Sequence, residues 1–116
     1  MPTPKPILVP SKLLSRRDLE FVLYELLRVD ELTRHPRYAD HSRQTFDAAI
    51  DVAAKIAEER FATHNRKSDQ NEPSFDGSRV HIIPEVKAAL DAYCSAGLMA
   101  SAHDYELGGM QLPYVV

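Results

Sequence analysis

The stretch "HSRQTFDAAIDVAAKIAEERFATHNRK", residues 41–67, decides the fold class. Phe46, Ala49, Ile50, Ala53, Ala57 and Phe61 recur every three or four positions, the period of an α-helix with one apolar face. Asp47, Asp51, Lys55, Glu58 and Glu59 occupy much of the other face. Ser42 or His41 opens the helix. Alanines at and beside the stripe carry little bulk, so another helix can approach closely.

Upstream, "SRRDLEFVLYELLRVDEL" (residues 15–32) has the same period. Ser15 is an N-cap, and Asp18 three residues on makes an acidic variant of the capping box. Leu19, Val22, Leu23, Leu26 and Leu27 fall on one stripe, with Phe21 and Tyr24 widening it. Asp30 is expected to cap a short helical piece, Glu31 to Arg34, ending before Pro36. Residues 1–14 read as an extended arm, because Pro2, Pro4, Pro6 and Pro10 lack a donor and push their predecessors toward extended geometry. Ile7, Leu8 and Val9 give that arm an apolar side.

Downstream, residues 66–80 form a polar break with a turn signal at Asp76-Gly77. The flanks around Phe75 and Val80–Ile83 could pair as a hairpin, although an irregular loop is the favoured alternative. Pro84 suits the first turn of a helix whose inner face holds Val86, Leu90, Tyr93 and Cys94, and Gly97 stops it. The expected fold is therefore all-α: three main helices, one short one, an extended arm over 1–14 and a helical domain over 15–116. The final "DYELGGMQLPYVV" (residues 104–116) places an apolar run after Gly108-Gly109 with no later segment to pack against. The domain is accordingly expected to be cut short at its C-terminal end.

Composition narrows the function classes. The chain has 116 residues, 44% of them hydrophobic and 27% charged, with a net charge of −3. That balance supports a single small domain and provides no basic field for nucleic acid or an anionic membrane. Cys94 is the sole cysteine, so an internal disulfide is impossible. The N-terminus lacks the apolar core of a signal peptide, and no run reaches the ~18 apolar residues of a membrane span. A cytoplasmic location is the default.

Residue chemistry is sparse. His35, His41, His64, His81 and His103 show no metal-ligand spacing, so no shared ion is expected. Cys94 sits on the apolar face of its helix and is expected to be a buried structural thiol. The serines lack a GxSxG or SxxK setting, and no glycine loop could cradle phosphate. Glu58-Glu59 and the Asp104 and Glu106 pair read as solvated faces. Arg16-Arg17, followed by Asp18 and Glu20, reads as helical-face salt bridging. No catalytic residue, cofactor-binding residue or metal ligand can be named from these patterns.

The order of segments resembles the acyl-CoA dehydrogenases. "RRDLEFVLYELLRVDEL" is similar to the N-terminal extension of the longer bacterial members. "FDAAIDVAAKIAEERFATHNRKSDQ" resembles their first domain helix, including its closing Glu58, Glu59, Asn65 and Asp69. A DG turn, a helix start at Pro84 with Lys87, and Gly97 follow in order. "ELGGMQLPYVV" matches the family's E-x-G-G-x-x-L-P segment through Glu106, Gly108, Gly109, Leu112 and Pro113. The chain departs at "GLMAS" (97–101), where the family often carries Gly-Trp-x-Gly-Leu. It departs again at Leu107, where Tyr is favoured, and at Gln111, where Gly is favoured.

The resemblance implies an N-terminal helical portion of a FAD-dependent enzyme that oxidises acyl-CoA to 2-enoyl-CoA. The FAD contacts and the glutamate base that removes the α-proton would come from later domains, so this chain would not be catalytic alone. It would help wall the acyl pocket, with Gly108, Gly109, Leu112 and Pro113 as the turn at the pocket's mouth. The competing reading of that turn is a plain link between two helices. Implied partners are the remaining domains, the acyl-CoA substrate and further copies in a homo-oligomer. The alternative is a stand-alone or remnant helical module for interaction or dimerisation, without activity.

Overall fold

A computed structural model describes residues 11–116, so the proline-rich arm lies outside the described residues as far as Pro10. The architecture is mainly helical with one two-stranded ladder. Its axis is the helix expected from residues 41–67. Ser42 is extended, and its hydroxyl accepts from the Thr45 N–H while the Thr45 hydroxyl accepts from the Ser42 N–H. This reciprocal capping box satisfies two donors that the first turn would otherwise leave unpaired. α2 (Arg43–Ile56) then runs through a π-helical turn, Ala57–Phe61, into α3 (Ala62–Gln70) along one helical path. Phe46 and Ile50 are buried and Ala49, Ala53, Ala57 and Phe61 half-buried, as the stripe requires.

α1 (Arg16–Glu20) starts at Ser15, whose hydroxyl accepts from the Asp18 N–H. It continues as a π-helical segment, Phe21–Leu26, closed by the Leu27 N–H donating to Val22 O at 2.9 Å, five residues back. This widened turn leaves Leu19 and Leu23 of the expected stripe facing the core and displaces the rest. Leu23 and Tyr24 are buried, whereas Val22, Leu26 and Leu27 are exposed. One extra residue per turn delays each side chain's return to the inner face, and Tyr24 takes the place that an α-helical count assigns to its neighbours. Arg28 ends the helix in the left-handed region (φ 51°, ψ 49°), and 3-10 turns follow at Val29–Arg34 and Pro36–Tyr38. The short piece thus begins at Val29, ahead of the expected Asp30 cap.

The polar break is an ordered hairpin rather than the irregular loop favoured by composition. β1 (Ser74–Phe75) pairs antiparallel with β2 (Val80–His81) in the register Ser74↔His81 and Phe75↔Val80. The Asp76 carboxylate holds the turn by accepting from the Ser78 and Arg79 N–H groups, both at 2.8 Å. α4 (Pro84–Ser95) opens on Pro84 and ends where Gly97 takes φ 79°. Its inner face runs through Val86, Ala89 and Tyr93, with Ala89 buried. Cys94 lies about 100° further round the helix. It is exposed, which corrects the expectation of a buried thiol.

The core gathers Leu23, Tyr24, Val29, Phe46, Ile50 and Leu112, with Leu19, Leu32, Ala49, Met110 and Val116 packed against it. Leu112 corrects the reading of residues 112–116 as a run without partners. Leu112 and Pro113 are buried against earlier segments, and only Tyr114 and Val115 turn outward.

Candidate functional site

After α4 the chain makes two further 3-10 turns, Leu98–Ala100 and Tyr105–Leu107, and reaches the paired glycines. Each glycine is required for a different reason. Gly108 takes φ 80° with open space around it, a backbone state that side chains resist. Gly109 has no such torsion, but a Cβ there would stand 2.0 Å from His103 O and 2.7 Å from Ala100 O. The turn closes with the Gly108 N–H donating to Tyr105 O and the Gly109 N–H to Asp104 O.

Beyond it, residues 110–112 are tied back to the molecule on several sides. The Gln111 N–H donates to His103 O (3.0 Å) and the Leu112 N–H to Ser101 O (2.9 Å). Gln111 adopts the left-handed region (φ 49°). Its side chain accepts from the Tyr105 N–H at 3.2 Å and donates to Arg37 O at 3.1 Å. Gln111 thus takes a torsion that suits glycine and adds two hydrogen bonds. Arg37 reinforces the contact by pairing with Asp104 at 2.6 Å and donating to Ala102 O. On the opposite side, His41 faces Met110 O at 2.7 Å through Nε2 and Thr45 Oγ1 at 3.0 Å through Nδ1.

Two apolar grooves flank this segment. The larger, about 530 Å³, is lined by Ala49, Ala53 and Ala57 of the long helix together with Leu98, Leu112 and Pro113. The smaller, about 410 Å³, is lined by Thr45, Val52, Gly109 and Met110 among others, and shares Ala49, Leu98 and Leu112 with the first. Of the four turn residues read from the sequence, Leu112 and Pro113 line the larger groove and Gly109 and Leu112 the smaller. Gly108 lines neither. The alanine stripe admits α4, whose Leu90 and Tyr93 lie beside Ala53 and Ala57, and it also forms much of the larger groove's wall.

The lining chemistry limits what the larger groove can hold. Its polar side chains are Tyr93, Ser101, His103 and Tyr114, and among the described residues no lysine, arginine, aspartate or glutamate lines it. Such a surface suits an alkyl chain by excluding water. It does not suit the diphosphate of a flavin dinucleotide, which needs cationic or backbone N–H donors. Among the described residues no group of three His, Cys, Asp or Glu side chains could hold a metal ion, and no helix is long and apolar enough to cross a membrane.

α1 is locked to the long helix beside this site. The Tyr24 hydroxyl donates to Asp47 Oδ1 at 2.5 Å, and the Arg43 guanidinium lies 4.0 Å over the Tyr24 ring. Arg16 joins the cluster through Asp51 (2.7 Å), Asp47 O (3.3 Å) and its helical neighbour Glu20 (3.5 Å). Burial, and then the Asp47 carboxylate, push the Tyr24 phenol well above its ordinary range. The arginine at the start of "RRDLE" therefore serves internal pairing, as the salt-bridge reading has it. His41 and Gln111 are the site residues that the sequence does not disclose. His41 reaches a carbonyl 69 positions away, a relation that no local pattern carries.

No family model and no solved structure matches the chain. Over 103 residues it is 32% identical to the broad-specificity linear acyl-CoA dehydrogenase FadE5 of Mycobacterium tuberculosis. That alignment takes in 86% of this chain but 17% of the relative, so the chain spans a small part of the relative's length. The chain is therefore a helical segment similar, distantly and in part, to an acyl-CoA dehydrogenase.

Proposed function

We propose that the chain forms the N-terminal helical portion of a flavin-dependent acyl-CoA dehydrogenase, with residues 15–116 as the helical unit. The larger groove would wall the acyl pocket, and the turn carrying Gly108, Gly109, Leu112 and Pro113 would shape its mouth. The observation that carries this reading is the pairing of an alanine-faced helix with Leu112 and Pro113 across an uncharged groove of about 530 Å³. Small side chains at Ala49, Ala53 and Ala57 leave width for a hydrocarbon chain, which binding would remove from water.

Among the described residues, no carboxylate and no cationic cradle for FAD lines the larger groove. Flavin binding, proton removal and the oxidation of acyl-CoA to 2-enoyl-CoA are therefore assigned to the remaining domains. Those domains, the acyl-CoA and further copies of the enzyme in a cytoplasmic homo-oligomer are the partners this reading entails. The first test is the absorption spectrum of the protein that carries this segment. A yellow protein bleached by an acyl-CoA supports the reading. In it, Ala53→Phe should shift turnover toward shorter acyl chains by narrowing the groove. A colourless protein inert to acyl-CoAs would give precedence to a helical interaction module, which the exposed Phe21, Leu26 and Leu27 favour.

A further inference from the structure

We propose that His41 is a positioning residue: its imidazole joins the cap of the long helix to Met110 and so sets how closely Leu112 approaches the groove. The ring lies one residue before the Ser42 cap, between two oxygens. Met110 O can only accept, so His41 Nε2 carries a proton and donates to it at 2.7 Å. Nδ1 is oriented by the hydroxyl of Thr45 at 3.0 Å, the same hydroxyl that completes the capping box. The ring also packs 5.6 Å from that of Phe46, which is completely buried. The imidazole is thus fixed on two sides, by Thr45 and Phe46, independently of residues 110–112.

What it holds is the side of that segment opposite Gln111. Met110 stands two residues before Leu112, the side chain shared by the core and both grooves. Without the His41 donor, Met110 O loses its partner beside the cap of the long helix, and the segment keeps only the bonds on its other side, from Gln111 to Arg37, Tyr105 and His103 and from Leu112 to Ser101. Leu112, still bonded to Ser101 O, is then held less closely from the His41 side, which loosens the groove and weakens its grip on an apolar ligand. That the ligand is an acyl chain rests on the function proposed above.

The side-chain geometry supplies the test. Glutamine can place an amide N–H near the position of His41 Nε2, whereas asparagine is too short and phenylalanine has no donor. Hydrogen exchange at the Gln111 and Leu112 amides is measured in the full chain for His41→Phe, His41→Asn and His41→Gln. Exchange should quicken about tenfold in the Phe and Asn variants, the factor for losing one such bond, and stay near wild type in the Gln variant. In the dehydrogenase that carries this segment, with acyl-CoA as substrate, KM should rise in the first two variants by more than kcat falls, and recover with Gln. Exchange in the Gln variant as fast as in the Phe variant, or unchanged in all three, overturns the proposal. The predicted exchange pattern in a protein that does not turn over acyl-CoA would support the positioning role while removing the dehydrogenase reading.

Discussion

Gly109 keeps its place in the turn by lacking a single methyl group. Gly109→Ala would press a Cβ into His103 O, a backbone atom fixed by the Gln111 N–H, so the turn must open. The expected cost exceeds about 3 kcal/mol in a urea titration, the upper range for overpacking. Gly108→Ala meets open space and only the left-handed torsion, so its cost should stay near 1–2 kcal/mol, or about that of one strained residue. The reverse order would show that the turn is held by torsion and not by close approach. Tyr24 supplies a second contrast, because its hydroxyl faces a carboxylate. Tyr24→Phe should cost about 1.5–3 kcal/mol, the range for a hydrogen bond to a charged group. The sign of its pH dependence follows from the raised phenol. The folded state holds the Tyr24 proton to higher pH than the unfolded chain, whose phenol titrates near 10.0. Its contribution is therefore complete below pH 10 and lost as pH rises further. Alkaline unfolding monitored by circular dichroism should lose this component in the Phe variant.

Among the elements, the hairpin depends most on one side chain. Hydrogen bonds from His81, then from the Arg79 and Ser78 N–H groups, hold the Asp76 carboxyl below its ordinary 3.8. A lowered folded pKa gives order that is present above the unfolded value and lost as pH falls through the folded one. The Asp76 N–H, which donates to Arg79 O, should thus be protected at neutral pH relative to its intrinsic exchange rate and lose that protection factor in strong acid. Asp76→Ala should abolish that protection at every pH. Sequence patterning reveals such elements unevenly. The helix of residues 43–70 is legible because its apolar spacing and the Ser42 cap are local facts. The turn at Gly108-Gly109 is legible for the same reason. The π-helical segments are not, since Tyr24 joins Leu23 on the inner face, and Leu26 and Leu27 leave it, only when Tyr24 finds Asp47 on another helix. Nor is the burial of Leu112 legible, because its partners Leu23, Phe46 and Ile50 lie far back in the chain. The exposure of Cys94 depends on which face of α4 the long helix selects, and its period fits two faces about equally well.

Over the whole molecule, the uneven distribution of apolar surface has a consequence in solution. The core is small, while Phe21, Leu26 and Leu27 on the π-helical segment are each more than half exposed. Clustered on one element, they form the kind of patch that monomeric proteins rarely leave open. In the proposed enzyme the remaining domains cover it. Without them, the 116-residue chain should cover it by self-association, with a weight-average mass in sedimentation equilibrium that rises between about 1 and 100 μM, the range expected of modest apolar contacts. Leu26→Glu with Leu27→Glu should hold the chain monomeric and leave its unfolding midpoint nearly unchanged, because neither leucine belongs to the core. Mutations of buried Leu23 would instead lower the midpoint, so the pair separates surface cover from folding. A wild-type chain that stays monomeric across this range would show that the exposed face needs no partner. The case for missing neighbours would then rest on the groove alone. Self-association abolished by the two glutamates would place the contact on α1 and its π-helical extension, away from the groove that Leu112 and Pro113 help to form.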